Sequence, residues 1–134
     1  MHSLDNTHED FLLKFHRDVL WWKSIIEFTE TEISFINRLL NSNAFDVKHP
    51  NIPENLHKFK HLIKTETREL NNIKEIIEGH DNKMIGMIDC DNLSCDAAYL
   101  ENHESLKNHF EKFFKNYSEY KSRVFNYTGS MLKN

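Results

Sequence analysis

Between Leu56 and Met87 the apolar residues Leu56, Phe59, Ile63, Leu70, Ile73, Ile77, Met84 and Met87 recur at gaps that fit an alternation of three and four. That spacing lines one face of a helix against partner helices, and a strand, with its period of two, could not bury it. Only two positions in the series are polar, Glu66 and His80. The same phase continues on both sides. From Asp5 to about Asn41, Leu12, Phe15, Val19, Trp22, Ile26, Thr29, Ile33, Ile36 and Leu40 keep it without a Gly or Pro. From about Ala97 to Tyr127, Tyr99, His103, Leu106, Phe110, Phe113, Tyr117, Tyr120, Val124 and Tyr127 keep it again, and Thr128, Gly129 and Ser130 are expected to end the helix.

Three Gly and two Pro in 134 residues, with 28% charged residues, leave little material for the turns of a β fold. The expected fold is all-α, an up-down-up antiparallel bundle of three long helices, about 45 to 55 Å long, formed by residues 1–134 as one domain. Pro53 and Glu54 suit the first turn of the second helix. Its end has two readings: a stop at Gly79, or continuation to about Met87, since a Gly inside a helix costs only about 1 kcal/mol. The heptad phase through His80, Met84 and Met87 favours the longer one.

On the first helix Phe11, Leu13, Leu20, Trp21, Ile25, Phe28, Phe35 and Leu39 widen the apolar stripe well beyond a two-stranded seam. A helix so clad needs more than one neighbour, and self-association into a larger bundle, a dimer, or a protein partner docked on this helix is expected. Nucleic acid is not an expected partner, because a formal charge of −4 and a pI of 6.1 leave no basic excess to displace counterions. The aromatics Phe110, Phe113 and Tyr117 fall on the core stripe rather than on a stacking platform. No apolar run of about 18 residues could span a bilayer, and the polar, acidic start is unlike a secretory signal, so a cytoplasmic protein is expected. Cys90 and Cys95 are accordingly expected as thiols rather than a bridge, with a mixed Cys/His zinc site as an alternative.

Nine histidines are many for this length. If Leu40 folds back near Leu56, the first two helices pair at positions summing to about 96, which sets His16 level with His80; the second and third pair at sums near 183, which sets His80 level with His103. Three imidazoles in one layer, with Asp18 or Glu104 close by, match the ligand set of Zn or a non-haem Fe. The expected metal residues are therefore His16, His80, His103, Asp18 and Glu104, in a protein that senses or stores a transition metal. The blander alternative has His80 and His103 satisfied by neighbours inside a homodimeric, non-catalytic interaction module. His57 and His61 form H-x-x-x-H, but Phe59 holds the core phase between them and the pair reads as surface. Glu66 suits an acid in a polar pocket or one reaching to the rim of the bundle. Phosphate-cradle, nucleophile-elbow and dinucleotide motifs are absent, so no organic cofactor and no catalytic residue is assigned.

His16-x-Asp18-x-x-x-Trp22-x-x-x-Ile26-x-Phe28-x-x-x-Glu32, Phe59-x-x-x-Ile63 through Lys74-x-x-Ile77-x-x-His80, and Asn102-His103 together resemble a family of small three-helix proteins from flavobacteria and relatives. The resemblance spans most of the chain and implies a three-helix fold with no assigned activity. The family pattern has Glu-Asn where this chain has Asp18-Val19, and Asp-His where it has Asn102-His103. The bundle is also similar at the level of fold to hemerythrin-like and di-iron proteins, which makes a di-metal carboxylate oxidoreductase a further alternative. Their full set of H-x-x-x-H and H-x-x-x-E motifs and their fourth helix are missing here.

Overall fold

The computed structural model describes residues 2–45, 51–88, 90 and 93–131, for 2–8, 88, 93 and 94 the backbone only. It contains three helices, α1 (His2–Leu40), α2 (Ile52–Ile88) and α3 (Leu93–Met131), packed up-down-up. The heptad positions do what their spacing demands. Val19, Ile36, Ile73, Ile77, Tyr117 and Val124 lose essentially all contact with solvent, and the core runs along the three inner faces without a break. Phe45, just beyond α1, and Ile52, opening α2, are buried with them at one end.

Neither Gly79 nor Gly86 interrupts α2, and no described residue has positive φ, so the longer reading of this helix holds. Burial of Ile77, His80, Met84 and Met87 on either side of the glycines outweighs their poor helix propensity. The expected stop at Thr128–Ser130 is corrected: α3 runs through all three to Met131. Thr128 is 2% exposed, and its hydroxyl donates to the Val124 carbonyl at 2.7 Å, which satisfies the hydroxyl inside the helix.

The register of α1 on α2 differs from expectation. Lys23 pairs with Asp81 at 2.6 Å and Lys74 with Glu30 at 3.0 Å, and both pairs sum to 104 rather than 96. In this register Leu40 comes level with the region of Lys64 instead of Leu56. Eight residues correspond to about 12 Å of helix. Between α2 and α3 the sum of 183 holds at His80 and His103.

Cys90 and Cys95 form a disulfide, which corrects the expectation of two thiols. The physical reason is the short α2–α3 connection. Cys90 lies just after α2 and donates its N–H to the Met87 carbonyl, Cys95 sits in the first turn of α3, and their Cα atoms are 6.4 Å apart, within bridging reach. Bonded to one another, these sulfurs are not available as zinc thiolates.

A candidate site: the buried Asp18–His103–His80 chain

His80 and His103 occupy core positions of α2 and α3 and are 5% and 1% exposed. Their rings meet, with His80 Nε2 2.8 Å from His103 Nδ1, and His103 Nε2 lies 2.7 Å from Asp18 Oδ2 on α1. A carboxylate only accepts, so His103 Nε2–H donates to Asp18. In that neutral tautomer His103 Nδ1 accepts, and His80 Nε2–H must donate to it. One hydrogen-bonded chain thus crosses the bundle from the rim of α1 to α2. It leaves Nδ1 of His80 as the terminal acceptor, without a hydrogen-bond partner among the described residues.

Aromatic walls fix the rings. Phe15 and Trp22 lie against His103 at 4.4 and 4.9 Å between ring centres, and Tyr99 stacks on His80 at 4.3 Å. The Tyr99 hydroxyl donates to the His80 carbonyl at 3.2 Å, which ties α3 to α2 one turn from the histidine pair. Burial, reinforced by the neighbouring His103 and the charge of Lys83 and only partly countered by Asp81, pushes the His80 pKa from 6.5 down to about 4. His80 is neutral at pH 7.

Of the five residues expected to meet, the structure brings together three, His80, His103 and Asp18. His16 is exposed on α1 beside Leu12, Leu13 and Met84. The eight-residue register shift sets His80 opposite the region of Lys23 and Ser24 instead. Glu104 is exposed on α3, as are His57 and His61 on α2. Among the described residues no group of three or more His, Cys, Asp or Glu is placed to hold a metal ion.

A second polar layer lies two heptads along the same α1–α3 seam. Glu32 accepts from the Tyr117 hydroxyl at 3.1 Å and from Lys121 Nζ at 3.2 and 3.1 Å, with the same offset of 85 residues that joins Asp18 to His103. Glu66 is half-buried on α2; burial first and the charge of Glu69 second raise its pKa. Tyr99, Tyr117 and Lys121 were not picked out by the sequence as site residues. Tyr99 and Tyr117 stand on the apolar stripe, where a phenol reads as a core ring, and only the constant offset of Asp18/His103 and Glu32/Tyr117 could have hinted at the seam.

No family model, curated protein or solved structure matches this chain.

Proposed function

We propose that this protein is a helical interaction module that pairs with a second copy of itself across the face shared by α1 and α3. One observation carries the proposal: Trp21, Phe28 and Phe35, spaced at intervals of seven, stand 65%, 64% and 51% exposed along α1. Phe114 and Phe125 of α3 extend the same face, with the Phe35 and Phe125 rings 6.4 Å apart and Phe114 lining a groove with Trp21 and Ile25. Exposed apolar residues scattered singly need no explanation, but a continuous aromatic strip along two helices does.

The spacing itself favours a second copy as the occupant. The strip is symmetric about Phe28, so an antiparallel copy sets Phe28 beside its own counterpart and Trp21 beside Phe35, the self-complementarity that a two-fold interface requires. At roughly 150 to 250 Å² for a whole aromatic side chain, the five exposed rings offer about 500 Å² per copy and about 1,000 Å² between two. Stable interfaces begin near ~1,200 Å², which flanking side chains readily supply. The buried Asp18–His103–His80 chain then serves the bundle by fixing which faces of the three helices meet. Sedimentation of the wild type at concentrations up to about 100 µM should give a dimer, and Phe28→Glu a monomer with unchanged helical content. A wild type that stays monomeric, or a Phe28→Glu dimer, overturns the proposal.

A specific feature also supports binding of Zn or Fe at the histidine pair. His103 offers one nitrogen to Asp18 and the other toward His80, the pattern in which a carboxylate orients a metal-ligating imidazole. Metal–nitrogen bonds of about 2.0 to 2.1 Å in tetrahedral geometry put two nitrogens about 3.3 Å apart, so the rings would have to separate by about 0.5 Å to admit the ion. Elemental analysis of untagged protein checks this: a stoichiometric metal that disappears in His80→Ala supports it, and its absence refutes it.

No helix among the described residues is long and apolar enough to cross a membrane. The Cys90–Cys95 bridge favours residence in an oxidising compartment over the cytoplasm expected from the polar start. The likeness to the flavobacterial three-helix proteins rests on the sequence motifs.

A further inference from the structure

We propose that the groove between α2 and α3 beside His80 binds the oxyanion group, phosphate or carboxylate, of a small molecule. The groove has a volume of about 440 Å³, and its polar lining is Lys83 of α2 with Asn102, Ser105 and His109 of α3, alongside His80. Lys83, Asn102, Ser105 and His109 can each donate a hydrogen bond, and no carboxylate lines the groove. In a chain with a net charge of −4 this is unusual. Four other grooves among the described residues each include at least one Glu or Asp: Glu27, Glu30 and Glu78 between α1 and α2, Asp18 and Glu111 between α1 and α3, Glu30 again further along α1, and Glu9 beside His16.

Helical spacing builds the cluster. Asn102, Ser105 and His109 follow one another at three and four residues and so form one ridge of α3, while Lys83 stands one turn beyond His80 on the facing ridge of α2. Among the described residues none of the four has a side-chain hydrogen bond or ion pair, whereas Lys23, Lys74 and Lys121 each hold a carboxylate. Lys83 lines the groove next to His80, close enough for its charge to oppose protonation of that ring. An oxyanion entering here would receive a point charge from Lys83 and directed donors from Ser105 and Asn102, the mixture that holds phosphate and carboxylate groups elsewhere.

The test uses the full chain with uniform nitrogen-15 labelling. Titration with inorganic phosphate and, separately, with acetate is followed by the amide and imidazole resonances, with sodium chloride of matched ionic strength as the control. At least one of the two anions should give saturable shifts centred on Lys83, Asn102, Ser105 and His109, and the arm that saturates identifies the chemistry. Lys83→Glu and Ser105→Glu, both at exposed positions, should retain the wild-type circular dichroism and bind roughly tenfold more weakly or worse, the loss expected for one charge-assisted hydrogen bond. Shifts that never saturate, that sodium chloride reproduces, or that persist unchanged in both variants overturn the proposal.

Discussion

Acidification should unfold this bundle earlier than its ordinary carboxylates require, and His80 sets the size of the effect. Its folded-state pKa is about 4, against 6.5 for an unperturbed histidine, because protonation would put a charge inside the core beside His103 and Lys83. As pH falls, the unfolded chain therefore takes up a proton before the folded one does. The contribution of His80 to stability is intact above pH 6.5, is lost progressively between 6.5 and about 4, and changes no further below that. At about 1.4 kcal/mol per unit the loss amounts to about 3 kcal/mol, a large share of the ~5–15 kcal/mol that holds a domain together. The assay is urea unfolding of chelator-treated protein at several pH values from about 7 to about 4, for the wild type and for His80→Gln, which cannot ionise. Glu66 acts in the opposite sense, since burial raises its folded pKa and the folded state gains from its protonation, but it is present in both proteins and cancels in the difference. The wild type should lose about 3 kcal/mol relative to the variant over this window. Parallel stability curves, or an imidazole of His80 that titrates at or above 6.5 by NMR, would refute the reasoning.

Gly79→Ala and Gly86→Ala should each stabilise the protein by up to about 1 kcal/mol, because both glycines are helical and a Cβ at either meets nothing within 4 Å; thermal unfolding checks it. Asp18→Ala should cost about 1 kcal/mol and move the His103 and His80 ring resonances together, whereas Asp18→Asn, which keeps an acceptor for His103 Nε2–H, should cost less; unchanged His80 signals in Asp18→Ala would break the hydrogen-bonded chain. The double change of Cys90 and Cys95 to Ser should cost about 2 kcal/mol from the loop it opens, seen as a lower urea midpoint that reducing agent reproduces in the wild type but not in the variant.

Much of the candidate site was legible once His80 and His103 were recognised as polar residues in apolar phase. A core position is assigned by heptad phase alone, and the α2–α3 register follows from a short connection, so these two histidines could be paired from sequence. The third partner could not. Whether His16 or Asp18 meets His103 depends on where α1 lies along α2, and no local propensity encodes that axial register. Asp18 sits two residues from His16 but on the side of α1 that faces α3, and the outcome changes a three-histidine layer into a carboxylate–imidazole–imidazole chain.

The sequence by itself determined three long helices and nearly every buried residue on them, because the three/four spacing from Leu12 to Leu40, Leu56 to Met87 and Tyr99 to Tyr127 has only one periodic structure that can bury it. It also carried α2 through Gly79, since the apolar phase resumes beyond it and packing outweighs a glycine's propensity cost. Tertiary structure alone decided the axial register of α1, the bridging of Cys90 to Cys95, the extension of the open aromatic face of α1 onto Phe114 and Phe125 of α3, and the gathering of Lys83, Asn102, Ser105 and His109 in one groove. Periodicity fixes the angle at which a side chain leaves its helix, but not how far that helix slides along its neighbour, and each of these features depends on the slide or on the connection that sets it.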